Sequence, residues 1–253
     1  MVFSVAVEPV NVPSACLAWI ADWCSIAALK SGNFGLDSSR TAHEPPFLLF
    51  LYSSVLILTY QNEDPMHVST KTITEYPWFI RLFFWNQKRR YGKVLEPGML
   101  WGRSPWVFAT LALLYGALDR KRSPISPVLR SLITVRVSQI NHCEFCVDIN
   151  SATLLKRGVS ENKIEALWEW QESPLFDQTE RVALAYTEAV THSELRVDND
   201  LVARVKEHFD DDALVELTGL IAFQNLSSKF NDALDVAPQG FCRLPPAPPS
   251  HKS

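Results

Sequence analysis

Between residues 126 and 158 the apolar positions recur every three or four residues, which predicts two consecutive helices. Leu129, Leu132, Ile133, Val137 and Ile140 mark the first helix. Ser126 is placed to cap it and Pro127 suits its first position. The pattern breaks near Asn141. A second helix then runs to Arg157 with Cys143 and Cys146 in its first turn, and Gly158 can end it in the left-handed conformation. Upstream, Ser104 and Pro105 repeat the cap-plus-proline start, and Val107, Leu111, Leu114, Tyr115 and Leu118 form an apolar stripe. Further upstream, residues 76–91 are aromatic and then basic. Trp78, Phe79, Leu82 and Phe83 share a helical face there. That face reads as packed on the core or on a partner subunit. The alternative is membrane-surface contact, because Lys88, Arg89 and Arg90 follow.

Downstream, Ser160 can cap a short helix bearing Ile164, Leu167 and Trp168, which Ser173 and Pro174 interrupt. Asp177 and Glu180 have capping-box spacing before Val182, Tyr186, Ala189 and Val190. Asp198 can cap a helix with Leu201, Val202, Val205 and Phe209. His192 and His208 sit near helix ends, where a cation complements the helix dipole. The last helix is predicted over residues 212–233 and is mostly apolar, which makes it central. On it Asn225 and Ser228 continue the face of Leu217 and Ile221. Such polar side chains need partners, either in a thiol pocket or on neighbouring backbone. No stretch here alternates in strand fashion, so the pattern predicts an all-α domain.

Composition narrows the classes. The chain has 253 residues and is 47% hydrophobic, enough for a substantial core. A net charge of −4 and the lack of a binding motif argue against nucleic acid. No strand-plus-glycine loop for phosphate is present. Five cysteines with one close pair are not a secreted disulfide framework, and they suit a reducing compartment, the cytoplasm. Residues 1–65 carry two basic and six acidic side chains, whereas residues 66–123 carry ten and three. That shift divides the chain into residues 1–65, residues 66–237 and a proline-rich tail, 238–253, read as disordered with Cys242 incidental. It also suggests that the native protein starts at Met66. The apolar run at residues 46–60 is shorter than the roughly 20 residues needed to cross a bilayer. Cys16 and Cys24 read as apolar fillers.

The chemistry concentrates at Cys143 and Cys146. Cysteines three apart on a helix are neighbours on one face and can form or exchange a disulfide. A helix N-terminus favours the thiolate, the reactive form. The pair therefore reads as a redox dithiol, the alternative being two inert core cysteines. A zinc site lacks a second close Cys or His pair. His142 could lower the thiol pKa from the loop or could simply face solvent. Glu144, a neighbouring negative charge, would raise it.

The segment VRVSQINHCEFCVDINSATLLKRGVSENKIEAL, the later SPLFDQTERVALAYTEAV and the helix LVELTGLIAFQNLSSKFNDAL resemble the alkylhydroperoxidase D-like, carboxymuconolactone decarboxylase family. The resemblance extends over residues 76–236. It implies a helical bundle of that type, preceded by a non-family N-terminal extension, and oligomeric assembly. It also implies thiol peroxidase (peroxiredoxin-like, antioxidant) or disulfide reductase chemistry. By the same resemblance Cys146 attacks a peroxide and Cys143 resolves the sulfenic acid as a disulfide. The family's redox members place a His four residues after the second cysteine and a Glu twelve before the first. Those positions hold Asn150 and Ser131 here. Asn does not titrate and Ser is a poor base, so the proton relay is missing while the dithiol remains. Asn150 and Ser131, with His142, are expected to line the site, where the first two can hold water or a substrate oxygen. The expected partners are a peroxide or disulfide substrate, an external thiol reductant and further copies of the chain. No metal, organic cofactor, nucleic acid or membrane contact is expected. Two alternatives remain open: a lactone-decarboxylase-like lyase using the same pocket, and a non-enzymatic redox-sensing or binding module. The redox reading requires that the two sulfurs be neighbours and reachable from solvent.

Overall fold

A computed structural model describes residues 66–242. Cys16, Cys24, the apolar run at 46–60 and the tail beyond residue 242 lie outside the described residues. The described residues are helical, with no strand among them. After a 3-10 turn at Ile73–Glu75 come α1 (Trp78–Tyr91), α2 (Glu96–Gly102), α3 (Pro105–Leu118), α4 (Pro127–Ile140) and α5 (Glu144–Lys156). Then follow α6 (Glu161–Glu165), a 3-10 turn (Ala166–Glu169), α7 (Gln178–Thr191), α8 (Asn199–Lys206) and α9 (Asp211–Ala233).

Local chemistry sets most boundaries. Ser126 Oγ accepts the Leu129 N–H at the start of α4, and Pro127 occupies the first turn. Ser160 caps α6, Asp198 caps α8 and Asp210 caps α9 in the same way. At α7, Asp177 Oδ1 accepts the Glu180 N–H while the Glu180 carboxylate accepts the Asp177 N–H. Gly158 has φ of 88° after α5, a conformation that only glycine adopts cheaply.

Helix α4 lies at the centre because it is apolar on two faces. Leu129, Ile133 and Val137 pack with Val182 and Tyr186 of α7, Leu201 and Val205 of α8, and Leu217 and Ile221 of α9. Leu132 and Val135 pack on the other side with Leu154 of α5, Ile164, Leu167 and Leu184. Between these faces α4 also buries Arg130, Ser131, Ser138 and Gln139. That placement delivers the end of α4, and hence the thiol pair, to the inner edge of α5.

Two predicted faces differ. On α1 the buried residues are Ile80, Phe84 and Gln87, whereas Trp78 is 74% and Leu82 47% exposed. The reason is tertiary. Tyr76, Ile80 and Phe84 meet Phe108 of α3, and the Tyr76 hydroxyl donates to Met99 O of α2 at 2.8 Å. On α3 the predicted stripe leaves Val107, Leu114 and Tyr115 exposed in the single chain while Leu118 packs on the core, and the one buried residue of the helix, Phe108, lies outside that stripe. Helix α2, which the apolar pattern did not predict, starts at the Glu96-Pro97 pair and rests on α1. Among the described residues no helix is long and apolar enough to cross a membrane.

Candidate active site

The turn from α4 to α5 builds the thiol pair. His142 takes a left-handed φ of 55°, and the Cys143 N–H returns to Ser138 O at 3.1 Å. Cys143 is the residue before α5 rather than part of its first turn. Its Sγ takes the capping role and accepts the Cys146 N–H at 3.2 Å. Cys143 and Cys146 are joined by a disulfide, with Cα atoms 5.2 Å apart.

The pair is not open to solvent. Each cysteine is 2% exposed, packed with Leu95, Leu100, Phe145 and Val236. Access, which the redox reading requires, is closed in this conformation by Leu95 and Leu100 at α2, Phe145 of α5 and Val236 after α9. After α9, residues 234–242 return across the site as a strap. The Val236 N–H donates to Asn231 O at 3.0 Å and the His67 N–H to Leu234 O at 3.2 Å. The buried Asp148 carboxylate accepts the Gln239 N–H at 2.9 Å and the Cys242 N–H at 2.6 Å. Lys93 Nζ donates to Gln239 O and also sits over the Phe241 ring. Gln239 and Cys242, at the start of the proline-rich tail, are thus hydrogen-bonded to the helical domain.

Ser131 and Asn150 line one cavity with Tyr115, Arg130, Arg157 and Gln224. Its volume is about 30 Å³, room for one or two waters or a ligand group of that size. The Ser131 hydroxyl accepts from Arg157 at 2.8 Å, and Arg157 also pairs with Asp119 at 2.8 Å. Asn150 Nδ2 donates to Ser138 Oγ at 3.2 Å. Gln224 Nε2 reaches the same oxygen at 3.1 Å, and that hydroxyl donates to Thr134 O at 2.6 Å. Burial first and the Asp119 carboxylate second push the Tyr115 phenol up to about 12, so it keeps its proton at neutral pH. Its surface is nonetheless 48% exposed in the single chain.

His142 and Glu144 are exposed, and His142 does not line this cavity. Asn225 bonds Asn141 and Thr191 rather than the thiol pair. Ser228 Oγ accepts from Gln224 Nε2 at 3.0 Å. Sequence reasoning missed Gln224 and Asn231, which complete a buried polar stripe with Ser228 at i, i+4 and i+7 on α9. The signal was present: three polar residues at helical spacing inside a mostly apolar helix. Among the described residues no group of three or more His, Cys, Asp or Glu side chains could hold a metal.

Residues 105–189 match the Carboxymuconolactone decarboxylase family. The chain is 46% identical over 173 residues to the uncharacterized protein YnjA of Escherichia coli K12, covering 68% of this chain and 95% of that one. Two solved structures share its fold. The alkylhydroperoxidase AhpD core of a peroxidase-related protein from Ralstonia eutropha JMP134 has a TM-score of 0.64 at 19% identity, over 70% of this chain and 94% of that one. A peroxidase-related protein from Silicibacter sp. TM1040 has a TM-score of 0.64 at 18% identity, with the same coverage.

Proposed function

The chain belongs to the carboxymuconolactone decarboxylase family, and from that premise we propose that it is a dithiol oxidoreductase that reduces a hydroperoxide or a disulfide at Cys146 and Cys143. The observation that carries this reading is the bond between the two sulfurs at the start of α5. It is the oxidised end of the proposed cycle.

In the reduced chain the Cys146 thiolate attacks a peroxide oxygen. The O–O bond breaks, Cys146 becomes a sulfenic acid, and the departing alkoxide takes the Cys143 thiol proton to leave as an alcohol. The Cys143 thiolate then attacks the Cys146 sulfur. The S–S bond forms, and the expelled hydroxide takes a solvent proton to become water. Two electrons have passed to the peroxide. An external dithiol returns them, ending as its own disulfide. No metal or organic cofactor enters the cycle. Asn150, one turn beyond Cys146, and Ser131 line a cavity whose walls include neither cysteine, and neither side chain serves as a base in this cycle.

Self-association belongs to the same reading. Trp106 is 83% and Leu113 63% exposed on α3, an apolar face of the kind that oligomers bury. Light scattering then gives a multiple of 28.6 kDa, and a monomer contradicts the assignment. A dithiol kept turning by an external reductant suits the cytoplasm.

The test is consumption of hydrogen peroxide by the full chain in the presence of a dithiol reductant. Saturable consumption above the protein-free control is expected. A rate equal to that control for both hydrogen peroxide and an organic hydroperoxide overturns the peroxidase reading.

A further inference from the structure

The missing relay leaves a physical problem, because Asn150 and Ser131 cannot take a proton from Cys146. The stripe on α9 supplies an answer. Asn231 is 1% exposed and its Nδ2 donates to Cys146 Sγ at 3.2 Å. Its Oδ1 is buried without a hydrogen-bond partner. A carboxamide held in the core with its acceptor empty is costly unless another state uses it. The neighbouring amides are not in that position. Gln224 and Asn150 both bond Ser138 Oγ, whose proton goes to Thr134 O.

The other charged groups packed around the sulfurs do not substitute for it. From α5, the Asp148 carboxylate is occupied by the strap's N–H groups, and Glu144 is exposed. From α9, Asp232 is exposed, as are Asp235 on the strap and His67 and His142 on the adjoining segments. Lys93, beyond the end of α1, bonds the strap. Tyr91 of the same cluster stacks edge-on against Phe241. The one side chain that donates a hydrogen bond to Cys146 Sγ among the described residues is Asn231.

We propose that Asn231 is a catalytic residue of the dithiol centre, with its Nδ2–H stabilising the Cys146 thiolate and its Oδ1 accepting the O–H of the hydroperoxide, or of the sulfenic acid, brought to that sulfur. The second half of this assignment rests on the peroxidase reading; the first needs only that the disulfide be reducible. Reduction breaks the Sγ–Sγ bond and leaves Cys146 on α5 opposite the same amide. The thiolate then keeps a donor that a relay of His and Glu would otherwise make unnecessary. The nucleophile is prepared by a fixed dipole, and the proton lost from Cys146 goes to solvent rather than to a side-chain base.

The experiment compares Asn231→Leu and Asn231→Asp with the natural chain. Each is fully reduced with dithiothreitol, freed of reductant, and alkylated with iodoacetamide across pH, with modification of Cys146 read by peptide mass. Leucine removes the donor. Aspartate keeps the shape but replaces the donor by a negative charge, so it carries the test if leucine fails to fold. A hydrogen bond to a charged group is worth roughly a 10- to 100-fold change in thiolate population. The alkylation midpoint is therefore expected to rise by about one to two pH units in both variants. Unchanged midpoints in folded Asn231→Asp overturn the thiolate assignment, whatever the peroxide assay gives. A raised midpoint with no peroxide turnover in the natural chain upholds that assignment while removing the peroxidase reading, and with it the proposed role of Oδ1. Turnover unchanged in Asn231→Leu, which has no acceptor at this position, with a risen midpoint likewise removes the role of Oδ1.

Discussion

Replacing Cys146 with serine abolishes dithiol-dependent peroxide consumption, whereas replacing Cys143 with serine leaves one round of oxidation intact. The asymmetry follows from the two environments. Cys146 Sγ receives the Asn231 amide and belongs to the first turn of α5. Cys143 Sγ caps that turn and accepts the Cys146 N–H at 3.2 Å. Serine at 146 removes the attacking thiolate, and an alcohol at neutral pH does not replace it. Serine at 143 keeps a capping oxygen, so α5 still starts there. The sulfenic acid then forms on Cys146 with no resolving partner, and it accumulates until it is trapped by a carbon acid such as dimedone or oxidised further. A loss of about 100-fold or more is expected for Cys146→Ser, of the order seen on removing other catalytic nucleophiles. The check is steady-state turnover together with the mass of each variant after one equivalent of peroxide. Stoichiometric dimedone labelling at Cys143 instead of Cys146 reverses the roles.

Replacing Asp148 with alanine accelerates reduction of the disulfide by an external thiol. The sulfurs are buried in a cluster that the strap completes with Val236, so a reductant reaches them only through an opened form. Two backbone N–H groups of the strap end on this carboxylate, at 2.9 Å and 2.6 Å. Hydrogen bonds to a charged group contribute about 1.5–3 kcal/mol each, and water recovers part of that on opening. Losing both raises the open population by roughly 10- to 100-fold. With dithiothreitol in excess, the rate of reduction followed by quenched alkylation rises in proportion. The remaining strap contacts, Val236 in the apolar cluster and Lys93 on Gln239 O, keep the closed form dominant at rest. An unchanged rate in Asp148→Ala places the route to the sulfurs elsewhere.

What the sequence disclosed and what it withheld divide along a physical line. Caps were readable because they are local: Ser126, Ser160, Asp177 and Asp198 each act on an N–H three residues on. The closeness of the thiol pair was readable for the same reason, since a residue that caps a helix lies beside the residue three further on. The buried face of α1 was not readable. It carries aromatic and aliphatic residues nearly all round, and the choice of Ile80 and Phe84 over Trp78 and Leu82 is made by Tyr76 and Phe108. The hydrogen bonds of Gln239 and Cys242 to Asp148 were not readable, because proline-rich composition says nothing of a buried carboxylate placed to receive those N–H groups. Asn231 was missed because an Asn near a helix end reads as surface. Only its register with Gln224 and Ser228 marks it as internal.

The measurement that bears most directly on the central claim is a single-turnover titration of the reduced full chain with hydrogen peroxide, thiols being counted by alkylation and the product located by peptide mass. One equivalent of peroxide is expected to remove two thiols per chain and to join Cys143 to Cys146, with the thiols restored on adding a dithiol. Retention of both thiols after a tenfold excess of peroxide, in a chain whose disulfide had first been reduced, contradicts the account.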